Sequence, residues 1–369
     1  MTKGIWMRRA SKPSFESSQP DLEASSHRDS YADSGVDIDA GLEAVSMMRD
    51  AVRSTWGAGV MERSGGFAGL YDLAQSAAGG DILALTVDGV GTKLKVAAMC
   101  GRYDSVGMDI VNHCTDDLLP ARARPLLFAD YFASSAIAPE MVAQVVGGMA
   151  EACRVVGCSL IAGETAEMPG VYCPSEFDIV GCMVGIGRRS EVMEVEPVRP
   201  GDVLIGLPSS GLHTNGYSLA RHLMFDVAGW DVDTHVDELG CTVGEELLKV
   251  HREYLTVLDQ HLGDPAIHAL AHITGGGLYD NVARVLPEGC SAHFDKSSWD
   301  PPPVFQILRR LGNLDDAEAY RTFNMGIGMV VIARGHDAAR LVSEWKSSGV
   351  DADQLGAVHE GTTAVIIDD

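Results

Sequence analysis

The chain has 369 residues, enough for two domains of ordinary size, and 46% of them are hydrophobic, enough for more than one core. Its formal net charge of −24 excludes a general nucleic-acid or anionic-membrane binding surface, because such surfaces neutralise phosphates with Lys and Arg. No run approaches the roughly 20 apolar residues of a membrane helix, so we expect a soluble protein without a membrane partner. Any bound phosphate must be held locally, by a cation, a few basic side chains or backbone N–H groups.

The first 30 residues differ from the rest of the chain. Residues 1–30 are rich in Ser and lack apolar periodicity, which predicts a disordered leader. Their basic start, before the first acid at Glu16, leaves an organelle transit peptide as the alternative. The eight cysteines form no CxxC pair and no secretory signal precedes them, so we expect free thiols and a cytoplasmic location.

Hydrophobic patterns in the first half alternate between helix and strand periods. Apolar positions at helical spacing predict helices over residues 41–53, 108–119 and 140–156. Compact apolar runs between turn signals predict buried strands over residues 81–87, 125–132, 157–162 and 177–188.

A connector rich in Pro and Gly, residues 195–202, separates this half from the next. Beyond it we predict strands over residues 203–207, 326–333 and 364–367 and helices over residues 217–227, 243–261, 278–286 and 338–348. Both halves mix helices and strands, which predicts an α/β (α+β) protein of two mixed domains. The predicted division is a leader (1–30), an N-terminal domain (31–194), a linker (195–200) and a C-terminal domain (201–369).

The loop that follows the first buried strand predicts a phosphate site. Two glycines, Gly89 and Gly91, allow backbone N–H groups to turn towards an anion, Lys93 offers a cation, and Asp88 offers a ligand for a hard metal ion. The pattern GxxxxGK[ST] is absent, so this is not a Walker A loop. A tight strand-to-helix turn is the structural alternative.

Carboxylates recur after other predicted elements. Asp109 and Asp116 are seven residues apart and should share one helix face, with Asp117 beside them. Glu164 and Glu167 are expected in a loop between two apolar strands. Oxygen ligands of this kind suit Mg²⁺, although each acid taken singly is also typical of a cap or a solvated surface.

Two further loops combine small and polar residues ahead of predicted helices. The first is a candidate anion-binding site and contains His213, a candidate general acid/base or neutral hydrogen-bond donor. The second places three adjacent glycines before the helix at 278–286, which suggests close backbone approach to a ligand, with a flexible connector as the alternative. The candidate substrate-binding residues in these loops are Ser210, Gly211, Thr214, Asn215, Thr274, Gly275, Gly276 and Gly277.

Eight motifs occur in order along the chain: DSGVDIDAG (33–41), GGFAGLYDL (65–73), DGVGTKL (88–94), PLLFADYFA (125–133), GETAEMPGVY (163–172), SSGLHTNGYSL (209–219), HITGGGLYDNVARVLP (272–287) and RTFNMGIGM (321–329). On these motifs the sequence resembles the aminoimidazole ribonucleotide synthetase (phosphoribosylformylglycinamidine cyclo-ligase) family, from Tyr31 into the C-terminal region. The resemblance implies an ATP- and Mg²⁺-dependent ring closure of formylglycinamidine ribonucleotide through an iminophosphate. It also implies a homodimer whose N-terminal strands form a barrel across the interface.

The resemblance assigns roles residue by residue. Asp88, Asp117, Glu164 and His213 fall on the family's acidic and histidine positions and are expected to be catalytic. The expected metal ligands are Asp88, Asp116, Asp117 and Glu164. The expected ATP and phosphate contacts are Gly89, Gly91, Thr92, Lys93, Asp109, Gly163 and Thr165.

Several positions depart from the family pattern. Ala32 replaces a lysine, Asp116 replaces an asparagine, and Arg122 and Arg124 are new. Val250-His251-Arg252 keeps only the arginine of a Pro-Thr-Arg segment. Ala32, Asp116, Arg122 and Arg124 motivate one alternative to an active cyclo-ligase, a catalytically weakened paralogue that binds or regulates. A separate alternative is another superfamily member, such as a thiamine-phosphate kinase or a selenophosphate synthetase.

Overall fold

The structure, a computed structural model, describes residues 60–61, 69–72, 81–193, 195–362 and 364–368. The predicted leader, the helix over 41–53 and Ala32 lie outside the described residues. Among the described helices, none is both long and apolar enough to cross a bilayer.

The first sheet in the described part of the chain has six strands in the order β1-β2-β3-β6-β4-β5. Its strands pair antiparallel except for β4 and β5, which are parallel. Burial alternates along β6 with period two, as expected for a strand with one face against a core. The strands are β1 Val60–Met61, β2 Gly69–Asp72, β3 Asp81–Gly89, β4 Arg124–Ser134, β5 Ser159–Glu167 and β6 Phe177–Arg188.

Helices α1 Lys93–Cys100, α2 Asp104–Leu118, α3 Pro139–Val156 and the short α4 Arg189–Met193 accompany this sheet. Two glycines allow α2 and α3 to touch backbone to backbone. A Cβ on Gly107 would lie 1.9 Å from the Val145 carbonyl oxygen, and one on Gly148 would lie 2.0 Å from the Asp104 carbonyl oxygen. This close crossing fixes the position of α2, which carries several candidate site residues.

The second sheet lies beyond the connector, with strand order β10-β12-β7-β13-β11-β14 in the described residues. Its strands are β7 Val203–Pro208, β10 Ile267–His272, β11 Cys290–Asp295, β12 Ile327–Ala333, β13 Asp353–Glu360 and β14 Ala364–Asp368. A small ribbon joins β8 His235–Val236 to β9 Cys241–Thr242. Central strand β12 is buried along its whole length, which explains its unbroken apolar sequence.

The helices of this half are α5 Tyr217–Arg221, α6 Val243–Leu247, α7 Leu255–Leu258, α8 Gly277–Ala283, α9 Pro303–Gly312, α10 Asp316–Thr322 and α11 Gly335–Ser347. Segment His222–Val227 continues α5 as a π-helix. With a sheet on each side of the connector, the predicted mixed α/β class is confirmed. The domain boundary at 195–200 stays a prediction.

Two predicted elements are wrong. The helix over 243–261 is broken into α6, residues 248–254 without regular structure, and α7. The break has a physical cause: the backbone N–H groups of His251 and Tyr254 donate to carboxylates of α2, at 2.7 and 2.9 Å, so they are not available for helical bonds. The expected loop holding Glu164 is part of strand β5, where Glu164 pairs in register with Tyr131 of β4.

Candidate active site

Helix α2 carries two carboxylates that join the halves of the chain. Asp109 accepts the N–H of His251, and Asp116 accepts the N–H of Tyr254. Both aspartates are fully buried, and burial raises the pKa of each carboxyl. The prediction that Asp109 and Asp116 share a face is confirmed. That face binds the backbone of residues 251–254, however, and it does not line a ligand cleft.

Lys93 completes this buried junction. Its ammonium lies 2.7 Å from Asp109 Oδ2 and donates to the carbonyl oxygens of Lys249 (2.7 Å) and His213 (3.2 Å). Burial lowers the pKa of Lys93, and the charge of Asp109 opposes that shift. The sequence predicted that Lys93 and Asp109 contact phosphates. In the structure both side chains are enclosed and paired with each other, and contact of Lys93 and Asp109 with phosphates stays a prediction.

A second cluster on β3 and α2 does face a cleft. His113 Nε2 lies 3.4 Å from Asp88 Oδ1 and 3.8 Å from Asp117 Oδ2. The Thr86 hydroxyl donates to Asp88 Oδ2 at 3.0 Å and reaches Asp117 Oδ2 at 3.4 Å. The pair Asp88 and Asp117, predicted from sequence, is therefore brought together. His113, one turn before Asp117 on α2, was not predicted.

The charges in this cluster are coupled. Burial raises the pKa of Asp88, but hydrogen bonding and charge from His113 outweigh it, and the pKa falls to about 2. Burial lowers the pKa of His113, but Asp88 and Asp117 raise it to about 9. Burial also raises the pKa of Asp117 well above its usual range, although His113 opposes this. Without a metal ion, a charged imidazolium therefore stands beside an ionised Asp88.

A set of histidines lies beneath the cluster. His272 Nδ1 is 2.7 Å from Asp117 Oδ1, and His272 Nε2 is 3.2 Å from His251 Nε2. The ring of His251 stacks on His213 with centroids 4.0 Å apart. Burial lowers the pKa of all three rings well below the usual histidine value, so they are neutral.

His213 was expected to act on the substrate, and the structure places it below the cleft surface. Its side chain is 1% exposed, and its Nε2 accepts the N–H groups of Ser210 (3.2 Å) and Arg252 (3.4 Å). Its backbone φ is +61°, in the left-handed region that residues other than glycine rarely adopt. In this arrangement His213 positions its own loop.

The cleft above Asp88 has a volume of about 440 Å³ and is formed by both halves of the chain. Arg284, which follows α8, is the arginine of its lining within the described residues. The lining consists of Leu85, Thr86, Val87, Asp88, His113, Asp117, Asn215, Thr274, Gly275 and Arg284. Two aspartates, an arginine and polar residues of two loops therefore share one cleft, which is a suitable environment for a phosphate held with a cation.

The two small-residue loops are held by side-chain bonds. The Asn281 amide donates to the carbonyl oxygens of Thr274, Gly275 and Gly277. Gly276 and Gly277 have positive φ, and a Cβ on Gly277 would lie 1.9 Å from the Tyr320 carbonyl oxygen. These bonds and this close contact hold the loop against its neighbours, and its Thr274 and Gly275 line the cleft.

In the other loop, only Asn215 of the predicted residues lines the cleft. Ser210 Oγ donates to the Val250 carbonyl oxygen at 2.5 Å, and the Gly211 carbonyl accepts from Asn324 at 2.8 Å. Thr214 Oγ1 lies 2.8 Å from His113 Nδ1. Ser210, Gly211 and Thr214 therefore hold the loop and its neighbours in place.

The remaining loop residues after β3 lie elsewhere. Gly91 and Thr92 line a second cleft of about 300 Å³ with Lys95, Tyr172 and Glu176. Gly91 has a φ of +68°, which glycine adopts without strain, and Gly89 ends β3.

Glu164 is not brought to the cluster within one chain. Asp88 pairs with Gly181, Gly181 with Asp130, and Asp130 with Gly163, so three strand spacings, about 14 Å, separate β3 from β5. Gly163, Glu164 and Thr165 lie on this edge strand, and Glu164 is exposed. A Cβ on Gly163 would meet the Asp130 carboxylate at 2.5 Å, which accounts for glycine there.

The new arginines also act away from the cleft. Arg122 donates to the carbonyl oxygens of Leu262 and Ile267, and Arg124 pairs with Asp259 at 2.6 Å. Like Asp116, these residues join the first half of the chain to the second. They are not among the residues that line the cleft above Asp88.

The fold and this cleft define a two-part protein of the AIR synthase related class. Residues 65–187 match the family described as AIR synthase related protein, N-terminal domain, and residues 199–369 match the corresponding C-terminal domain. The hydrogenase maturation protein HypE of E. coli shares the fold, with a TM-score of 0.57 and 21% identity over 90% of this chain and 94% of that one.

Curated relatives are more similar. A phosphoribosylformylglycinamidine cyclo-ligase of Trichlorobacter lovleyi is 44% identical over 331 residues, which cover 90% of this chain and 95% of the relative. One from Alkaliphilus oremlandii is 41% identical over 337 residues, with 91% and 99% covered. The chain belongs to the phosphoribosylformylglycinamidine cyclo-ligase family. The predicted family and enzyme class are thereby confirmed.

Proposed function

We propose that this chain closes the imidazole ring of aminoimidazole ribonucleotide from formylglycinamidine ribonucleotide, consuming ATP and releasing ADP and phosphate. The amide oxygen of the substrate attacks the γ-phosphorus of ATP, and ADP leaves. An internal nitrogen then attacks the activated carbon, and the carbon–oxygen bond breaks to release phosphate. The observation that carries this proposal is a cleft lined by Asp88, Asp117 and Arg284, in a chain 44% identical to a cyclo-ligase.

The residues of the cleft fit a magnesium ion. Asp88 and Asp117 supply the hard oxygen atoms that Mg²⁺ prefers, and the low pKa of Asp88, about 2, keeps that carboxylate ionised. Bound Mg²⁺ would neutralise charge on the ATP phosphates. Asp116 is enclosed and Glu164 lies on β5, so the ion site that we propose in one chain uses neither.

The polar wall of the cleft would orient the phosphates and the substrate. Arg284 offers a planar guanidinium that matches phosphate oxygens in a bidentate manner. Asn215 and Thr274 offer an amide and a hydroxyl beside it. Because these groups come from the second half of the chain and the carboxylates from the first, docking of the halves brings together the phosphate and cation contacts.

The structure gives no support to a weakened, regulatory paralogue. Asp116, Arg122 and Arg124 motivated that alternative, and each has a partner in the interface between the two halves. The carboxylates that face the cleft are unchanged from the positions that the family resemblance assigns. We therefore favour an active enzyme.

We also propose a homodimer formed through the first sheet. Leu85, Val87 and Ile161 on β3 and β5 are large apolar residues exposed by 47, 57 and 61%. A second copy that closes these strands into a barrel would bury them, and sedimentation at micromolar concentration tests this. The eight cysteines are free, which fits the reducing cytoplasm that we propose as the location.

Ring closure can be tested directly. Purified protein with formylglycinamidine ribonucleotide, ATP and MgCl₂ should release ADP, phosphate and aminoimidazole ribonucleotide in equal amounts. Asp88→Asn should lower kcat at least about a hundredfold because it removes a charged ligand. The exposed Asp226→Asn variant is a matched control and should behave as wild type.

Three results would contradict the proposal. Nucleotide binding without turnover would favour a regulatory subunit. Transfer of phosphate to thiamine monophosphate would favour a small-molecule kinase. Full activity of Asp88→Asn would show that the cleft takes no part in the mechanism.

A further inference from the structure

Two carboxylate oxygens at the base of the cleft lie close to one imidazole nitrogen. His113 Nε2 is 3.4 Å from Asp88 Oδ1 and 3.8 Å from Asp117 Oδ2. Direct bonds between charged groups are shorter, about 2.7–2.9 Å. Atoms that lie about 2.0–2.2 Å from a shared cation stand roughly 2.8–4.4 Å from one another, depending on the angle between them. The two observed separations are longer than direct bonds between charged groups and fall in the range expected for ligands of one cation.

Each of these groups is also oriented by a neighbour through its other polar atom. The outer bonds join Thr86 Oγ1 to Asp88 Oδ2 (3.0 Å), Thr214 Oγ1 to His113 Nδ1 (2.8 Å) and His272 Nδ1 to Asp117 Oδ1 (2.7 Å). Such outer partners are typical of metal ligands, because they fix the tautomer of a histidine and the direction of a carboxylate. The set also lines an open cleft through which an ion can enter.

We propose that His113 is a nitrogen ligand of the divalent cation held by Asp88 and Asp117, and that the site therefore prefers Mn²⁺ to Mg²⁺. This rests on the cation site of the proposed function and adds a ligand of different chemistry to it. Mg²⁺ takes oxygen ligands, whereas transition-metal ions also bind imidazole nitrogen. On binding, the Nε2 proton leaves to solvent, and the freed lone pair coordinates the ion.

Other side chains are less suited to this role. His272 uses Nδ1 for Asp117, and its Nε2 faces His251 Nε2 at 3.2 Å. If His113 is instead a permanently protonated imidazolium, its positive charge would repel any cation in the site. Removing it would then strengthen the binding of both ions.

The test measures metal binding without nucleotide or turnover. Metal-free protein is titrated with Mn²⁺ by EPR, and Mg²⁺ affinity is obtained by competition. Pulsed EPR of bound Mn²⁺ should show coupling to a ¹⁴N nucleus, and His113→Leu should abolish it. The same variant should lower the affinity for Mn²⁺ at least about tenfold and change the affinity for Mg²⁺ less than about threefold. His336→Leu, at a 75% exposed histidine, is the matched control and should change neither.

The outcomes separate this proposal from the proposed function. Absence of ¹⁴N coupling in wild type, its persistence in His113→Leu, or tighter binding of both ions in that variant would overturn the role of His113. His113→Gln and thermal unfolding check that the result does not come from misfolding. If ¹⁴N coupling is seen but no ring closure occurs, the proposed activity falls and the ligand assignment stands.

Discussion

Replacing Lys93 with methionine separates a structural role from a phosphate-binding role. The Lys93 ammonium and the Asp109 carboxylate are both 0% exposed and 2.7 Å apart. Lys93→Met would leave Asp109 buried with the His251 N–H as its donor. Removing one partner of a buried ion pair costs about 3–5 kcal/mol. At about 2–4 °C per kcal/mol, the melting temperature should fall by roughly 6–20 °C.

A double variant sharpens this experiment. In Lys93→Met/Asp109→Asn, the amide oxygen can still accept the His251 N–H and no buried charge is left. We expect it to recover at least half of the loss, and urea unfolding of the four proteins in a double-mutant cycle measures the coupling. Wild-type stability of Lys93→Met together with weakened ATP binding would refute the structural role and show that Lys93 reaches a phosphate.

Further predictions concern the cleft, the helix crossing and the buried histidines. Arg284→Ala should raise the KM for ATP or substrate at least about tenfold; an unchanged KM for both would show that Arg284 takes no part in the function of the cleft. Gly107→Ala should destabilise the protein by more than about 3 kcal/mol in urea unfolding, because its Cβ would lie 1.9 Å from a carbonyl oxygen, and a wild-type midpoint would contradict the close crossing. Burial lowers the pKa of His251 in the folded protein well below the value near 6.5 that it has in the unfolded chain. Below about pH 6.5 the unfolded chain therefore binds a proton at His251 that the folded protein does not, and the free energy of unfolding decreases as the pH falls. Between pH 6 and 5, His251→Gln should show a slope of unfolding free energy against pH that is smaller by about 1.4 kcal/mol per pH unit, and equal slopes would argue against a neutral ring.

Much of the fold follows from local sequence. The strand predicted over 177–188 matches β6 residue for residue, because its alternating burial and flanking turns are local signals. The strand β12 and the helix α3 are also recovered to within a residue or two. Strands β10, β11 and β13 were missed, because their sequences contain His, Ser or Gly and their identity depends on pairing with distant strands.

The site was predicted only in part, for a different reason. The residue types near Asp88 and Asp117 indicate a cation, and the structure brings these two side chains together. Lys93 has the same local signal as a phosphate ligand, but its buried partner Asp109 becomes visible only in three dimensions. The spacing of His113 to Asp117, four residues on one helix, was a signal that sequence reasoning could have used.

The backbone hydrogen bonds from residues 251–254 to α2 determine which substitutions these positions can accept. Asp109 and Asp116 are satisfied by the main chain of His251 and Tyr254, and every amino acid except proline carries that N–H. Substitutions at position 251 can therefore change the side chain and keep its bond between the halves. A proline at position 251 or 254 would instead remove the main-chain donor of a buried carboxylate, so main-chain chemistry restricts these positions more than side-chain identity does.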